Sequence, residues 1–219
     1  MNFSISEENY LKTIFTLQLD QGKVTTNMLA EKLKARPASI TDMMKKLSAK
    51  NMVVYKPYYG FHLSTEGKKV AISVIRRHRL WEFFLSQKLN FGWDEVHLIA
   101  EELEHVSSKK LIDKLDDFLD FPEFDPHGDP IPDSKGKIKL ADTLTLYQLP
   151  VNQPARVTRV INQSVEMLDL LQNKNISIGS KIEVKKHFAF DGSLTVKIQP
   201  NKTETLSEQL AKNLLVKKI

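Results

Sequence analysis

Between Phe121 and Lys139 the chain holds Pro122, Pro126, Gly128, Pro130, Pro132 and Gly136. No α-helix runs through that density of proline and glycine, because proline lacks an amide proton and its ring clashes with the preceding turn. The stretch therefore reads as an ordered turn followed by a linker, and it separates two textures. Before it, apolar residues recur at helical spacing. After it come short runs, Thr143 to Leu149, Ala155 to Ile161, Lys181 to Lys185 and Ser193 to Ile198, whose composition is that of strands. Gly179 and Asp191-Gly192 supply turns between the later runs, and strands this short predict a small barrel. The chain is expected to be multidomain and mainly α, with a small β domain at its C-terminal end.

The first 70 residues predict short helices and a hairpin. Ser6-Glu7-Glu8 looks like a helix start, followed at helical spacing by Tyr10, Ile14, Phe15 and Leu17. Thr25 or Thr26 can cap a second helix. A third helix after Arg36-Pro37 buries Ile40, Met43, Met44 and Leu47. Two extended runs, Val53 to Lys56 and Phe61 to Leu63, flank Pro57-Tyr58-Tyr59-Gly60. Helix, turn, helix and hairpin is the order of a winged helix. In that fold the third helix presents Ala38, Ser39, Thr41, Asp42, Lys45 and Lys46 outward behind Arg36, and the hairpin presents Lys56, Tyr58 and Tyr59. Small residues on such a helix permit close approach to base edges, while the cations neutralise phosphates. A helical protein-binding module with an ordinary basic surface fits the same pattern.

Charge is partitioned along the chain. Residues 1–70 carry 11 Lys or Arg against 6 Asp or Glu, whereas residues 94–133 carry 3 against 13, and the total is +5. The basic end suits a polyanion and the acidic middle a cation.

Histidines and carboxylates in that middle region fall at ligand spacing. His97, Glu101, Glu104 and His105 lie within an arc of roughly 80° on one helix face, and His78 and Glu82 share another face at i and i+4. A charged stripe on a helix is also the ordinary form of its solvated side. Three of the chain's 6 histidines sit in these two segments, however, which favours a divalent metal site. With no cysteine, disulfides, thiol nucleophiles and thiolate sites are excluded, and a metal must use N and O ligands. No apolar run approaches the roughly 18 residues that span a bilayer. The N-terminus lacks the basic and apolar regions of a signal peptide, so a cytoplasmic protein is expected.

Several ordered motifs together resemble the diphtheria toxin repressor family of metal-dependent transcriptional repressors, which includes iron and manganese regulators. They are Glu8-Asn9-Tyr10-Leu11-Lys12-Thr13-Ile14-Phe15, the Leu33 to Val53 unit, Arg76-Arg77-His78-Arg79-Leu80-x-Glu82, Val96-His97 to Glu104-His105-Val106, and Asp125 to Pro132. The resemblance covers essentially the whole chain. It implies a winged-helix DNA-binding domain over 1–65, a helical metal-binding and dimerisation domain with linker over 66–140, and an SH3-like barrel domain over 141–219.

It further implies a metal-activated homodimer that binds operator DNA and controls manganese or iron uptake and homeostasis genes, with no organic cofactor and no membrane. His78, Glu82 and His97 match an ancillary metal site, and Glu101, Glu104 and His105 a primary one, giving two ions per subunit. Asn9 stands where relatives carry Met or Asp, and Lys12 where a manganese regulator carries an acid; a protonated lysine cannot ligate. Gln163 and Glu166 are the nearest barrel residues of the types that iron-responsive relatives lend to the ancillary site. Glu101, where iron-responsive relatives often carry Cys, favours Mn²⁺, with Fe²⁺ as the alternative. The rival from another class is a metalloenzyme with a carboxylate and histidine di-metal site.

Overall fold

The computed structural model describes residues 3–56, 60–106, 108–139 and 142–219. Its elements run α1 (Ile5–Gln21), α2 (Thr26–Lys32), α3 (Pro37–Ala49), β1 (Val53–Lys56), β2 (Gly60–Leu63), α4 (Thr65–Leu89), α5 (Val96–Val106) and α6 (Lys109–Phe118). After the proline-rich turn follow β3 (Leu144–Thr145), β4 (Pro154–Val160), α7 (Val165–Asn173), β5 (Lys181–His187), β6 (Leu194–Ile198), β7 (Lys202–Leu206), α8 (Glu208–Lys212) and β8 (Leu214–Lys218). Two compact units emerge. One comprises Met1–His78, Glu101–Leu115 and Pro132–Lys137, the other Arg79–Ala100, Asp116–Ile131 and Ile138–Ile219. Among the described residues no helix is long and apolar enough to cross a membrane.

In the first unit, α1 starts at Ile5 behind the capping residue Ser4, rather than at Ser6. The Ser4 hydroxyl accepts the Glu7 amide and the Glu7 carboxylate accepts the Ser4 amide, a reciprocal pair that satisfies two otherwise orphaned donors. Thr25 caps α2 by accepting the Met28 amide. Pro37 opens α3, where its missing N–H costs nothing and its fixed φ suits a helix. Leu11, Ile14, Leu29, Ile40 and Leu47 are fully buried, and this apolar core seats α3 with its other face outward. β1 and β2 pair antiparallel from Val53↔Leu63 to Lys56↔Gly60, completing the winged helix.

Glu7 does a second job. Buried in α1, it takes Lys46 of α3 at 3.2 Å and Lys50, at the C-terminal cap of α3, at 2.6 Å. Burial alone would raise its carboxyl, but the Lys50 and Lys46 ammonium groups and the Ser4 amide outweigh it and bring the pKa from 4.5 down to about 2. A depressed folded-state pKa contributes stability above the unfolded value, lost as pH falls through the folded one. Glu7→Gln is therefore expected to remove about 2 kcal/mol at neutral pH and to flatten the fall in stability between pH 4.5 and 2. Urea denaturation of both proteins across that range checks it; parallel pH profiles would contradict the pairing.

In the second unit, six antiparallel strands run in the order β3-β8-β4-β5-β6-β7. Bulges between Val157 and Arg159 and between Val184 and Lys186 bend the sheet around a core that includes Leu146, Val157, Leu168, Val184, Val196, Leu214 and Val216. This is the expected small SH3-like β domain. The run Thr143 to Leu149 is a strand only over Leu144–Thr145. Thr145 and Gln148 form a capping box that turns Leu146–Gln148 into a 3-10 helix. α7 and α8, capped by Ser164 and Ser207, and the short strands β7 and β8 have no counterpart in the sequence reading.

Candidate metal centre and nucleic-acid interface

Two clusters of imidazoles and carboxylates form, one in each unit. In the first, Glu104 of α5 is fully buried with three groups of the chain against its carboxylate, of which Lys12 donates a hydrogen bond. His78 Nδ1 lies 2.6 Å from Oε2, His105 Nε2 lies 3.1 Å from Oε1, and Lys12 Nζ of α1 lies 2.6 Å from Oε1. Burial pulls the Glu104 carboxyl upward, but His78 and Lys12 more than offset it and the pKa is lowered. Lys12 also reaches Glu101 at 3.3 Å. His105 Nδ1 pairs with Glu8 at 2.6 Å, and Arg77 with the other Glu8 oxygen at 2.7 Å. The Asn9 side-chain oxygen Oδ1 is buried and makes no hydrogen bond. Helical periodicity brings Glu101, Glu104 and His105 onto one face, as their spacing predicts; the Lys12 ammonium against Glu101 and Glu104 comes from α1, which that periodicity does not reach.

The second cluster is built on Glu82 of α4, which is 1% exposed. His97 Nδ1 of α5 lies 3.1 Å from Glu82 Oε1, and His127 Nδ1 lies 3.8 Å from the same oxygen. His127 stacks on Trp93 with ring centroids 5.7 Å apart, and its Nε2 lies 2.9 Å from the Trp93 carbonyl oxygen. A carbonyl only accepts, so Nε2 carries a proton, and Nδ1 is the ring atom that faces Glu82. Nδ1 is buried and makes no hydrogen bond.

Asp125 completes this set. Its Oδ1 accepts the amides of His127 at 2.8 Å and Asp129 at 2.9 Å, leaving Oδ2, which makes no hydrogen bond. Burial, the Glu82 charge and Asp129 raise the Asp125 carboxyl well above the usual range, outweighing Arg79, whose Nε lies 3.7 Å from Oδ2 and pulls the other way. Burial depresses His127, yet the Glu82 and Asp125 carboxylates prevail and raise it. Ligand atoms of Glu82, Asp125 and His127 lie within 4.8 Å of one another. Two buried carboxylates and a buried imidazole gathered this closely are N and O donors of the kind that suits a divalent cation.

Around them, Asp129 takes Arg159 at 2.5 Å, Arg79 at 3.6 Å and the Gln163 amide at 2.7 Å. Gln163 thus holds a carboxylate of the turn, and Glu166 stands exposed in the first turn of α7. Asp125, His127 and Asp129 escaped the sequence reading as site residues. The available signal was a fourth histidine between two acids in the Asp125 to Pro132 turn, but no helical period relates it to Glu82.

On the first unit, Arg36, Ala38, Ser39, Thr41, Asp42, Lys45 and Lys46 are all exposed on or before α3, as is Lys56 at the end of β1. Arg36 makes no side-chain capping bond. Lys45 lies 3.6 Å from Asp42, and Lys46 is shared with Glu7. Tyr58 and Tyr59 lie outside the described residues.

This architecture has known counterparts. Residues 2–61 match the profile "Iron dependent repressor, N-terminal DNA binding domain", residues 64–133 match "Iron dependent repressor, metal binding and dimerisation domain", and residues 144–218 match the FeoA domain. The iron-dependent repressor IdeR of Mycobacterium leprae is 25% identical over 227 residues, which span 97% of this chain and 96% of the relative. The HTH-type transcriptional regulator MntR of Bacillus subtilis is 31% identical over 120 residues, 55% of this chain and 84% of its own. A solved manganese-dependent transcriptional repressor in complex with manganese superposes with a TM-score of 0.90 at 33% identity, over 97% of this chain and 100% of its own.

Proposed function

Since the chain belongs to the family of iron- and manganese-dependent transcriptional repressors, we propose that it is a Mn²⁺-activated repressor, with Fe²⁺ the second choice of ion. It acts in the cytoplasm as a homodimer on palindromic operator DNA and controls genes of manganese or iron uptake and homeostasis. As a member of this repressor family it is not an enzyme, and nothing supports the metalloenzyme alternative. The division of labour follows the modules at 1–65, 66–140 and 141–219.

The observation that carries the reading is the buried His127 Nδ1 facing Glu82 with Asp125 beside it, a cysteine-free set suited to Mn²⁺ or Fe²⁺. The bound ion supplies fixed positive charge where two buried carboxylates otherwise repel. Glu82, Asp125 and His127, with His97 against Glu82, are our ligand set. Trp93 orients His127, while Arg79, Arg159 and Gln163 hold the Asp129 end of the turn. α4 is one continuous helix carrying both His78 and Glu82. An ion that binds one conformation better than another shifts the population by its differential affinity.

For operator contact we assign Arg36, Ala38, Ser39, Thr41, Asp42, Lys45, Lys46 and Lys56, with Tyr58 and Tyr59 of the wing. Homodimerisation follows from operator symmetry, because one winged helix reads only one half-site. As candidates for its interface we take the helical apolar residues Phe83, Phe84 and Ile99, which are partly buried, and Leu98, which is exposed; nearby Leu85 is buried in the core.

The test is operator affinity titrated with Mn²⁺, Fe²⁺ under anaerobic conditions, Co²⁺ and Zn²⁺ at fixed salt, since phosphate contacts make affinity salt-dependent. Mn²⁺ should activate most effectively; equal affinity in the chelated control would overturn the reading. In the same assay, an Arg36→Ala, Lys45→Ala double variant should weaken binding across sequences and reduce the salt slope by about one per lost phosphate contact. Lys45 and Arg36 are preferred to Lys46, whose loss would also disturb Glu7. An unchanged slope in the folded variant would remove α3 from the interface.

A further inference from the structure

We propose that the Lys12 ammonium takes the place of the divalent ion in the Glu104 cluster, so that each subunit carries one divalent site, around Glu82, and not two. The inference rests on the metal-activated reading but concerns a different set of residues. Lys12 is held in α1 and its side chain is 16% exposed, against 0% for Glu104. Its Nζ lies 2.6 Å from Glu104 Oε1 and 3.3 Å from Glu101 Oε1. The other Glu104 oxygen is met by His78 at 2.6 Å. One oxygen of the fully buried carboxylate in this cluster is therefore engaged by an ammonium of the chain itself, and that ammonium also reaches Glu101.

The cluster does not fit a divalent ion as it stands. A protonated lysine offers three donors and no lone pair, so it competes with a metal for Glu101 and Glu104 without being able to join it as a ligand. A dication placed among these carboxylates would also face a tethered like charge at close range in a partly desolvated site. Neighbouring Asn9 is neutral, so α1 brings only Glu8 as an anion, and Glu8 is already shared by His105 at 2.6 Å and Arg77 at 2.7 Å. Cations supplied by the chain thus meet the charge that the resemblance assigned to a primary ion. Because Lys12 is covalently part of α1, it links that helix to Glu101 and Glu104 whether or not metal is present. Metal sensing then falls to Glu82, Asp125 and His127.

Counting ions tests this without reference to DNA. Mn²⁺ bound per subunit is measured by equilibrium dialysis and elemental analysis for the wild-type protein, Lys12→Glu and Glu101→Gln. Lys12→Glu should bind one Mn²⁺ more than wild type, and Glu101→Gln the same number with affinity changed less than about twofold. Equal counts in wild type and Lys12→Glu, or the loss of an ion in Glu101→Gln, would overturn the assignment. Glu101 is exposed, so its variant keeps the test decisive should Lys12→Glu fail to fold. The difference in count stands apart from operator binding: a wild-type protein that binds its operator equally under chelation would sink the metal-activated reading and leave the Lys12 comparison intact.

Discussion

His127→Ala is expected to lower Mn²⁺ affinity by about a hundredfold or more and to abolish metal-activated operator binding. Groups that merely orient ligands cost roughly 10- to 100-fold when removed, and His127 is assigned here as a ligand itself. Its Nδ1 is buried, 3.8 Å from Glu82, and the ring is oriented by the Nε2–H bond to the Trp93 carbonyl. Removing the ring also leaves a cavity beside Trp93, so the variant will lose some apo-state stability for reasons of packing alone. Glu82→Gln separates the two effects, because it keeps the shape and removes the charge. Both variants should lose Mn²⁺ binding by calorimetry, and only His127→Ala should lose appreciable apo stability. Wild-type Mn²⁺ affinity in either folded variant would exclude this cluster as the sensing site.

Gly128→Ala should destabilise the protein by roughly 3 kcal/mol and weaken Mn²⁺ binding with it. Gly128 has φ +85, and a Cβ there would meet the Thr158 carbonyl oxygen at 1.9 Å and Arg159 Cα at 2.8 Å. Those are backbone atoms of β4 and cannot rotate aside. The clash would push the Asp125 to Asp129 turn off the strand, breaking the bond from the Val160 amide to the His127 carbonyl, 3.0 Å long in the intact protein. Gly179 is the control. Its φ is +91 but a Cβ there meets nothing within 4 Å, so Gly179→Ala should cost only about 1 kcal/mol. Chemical denaturation of the two variants compares strain with strain plus clash; equal losses would show that the turn does not depend on close approach to β4.

Much of the fold was legible because its signals are local. Pro37 at the first position of α3, the apolar spacing of Ile40, Met44 and Leu47, and the extended runs around Tyr58 define the winged helix within a few dozen residues. Short polar-capped pieces were harder. α8 has five residues and β8 five, too few for a period to emerge, and in Leu144 to Gln148 the capping box overrode an apparently strand-like composition.

By itself the sequence determined which chemistry was open to the protein. The absence of cysteine confined any metal to N and O ligands, helical spacing set His78 one turn from Glu82 and Glu101 on a face with Glu104 and His105, and the proline-rich turn ended the helical region. Tertiary structure decided which of these groups share a charge. Glu104 met Lys12 from 92 positions away, and Glu82 met His127 from a turn that no helical period connects to it. A helix repeats its faces every 3.6 residues whatever lies opposite. Which buried carboxylate receives an ammonium and which is left facing an imidazole depends on how distant segments pack, and there the two clusters, so alike in composition, part.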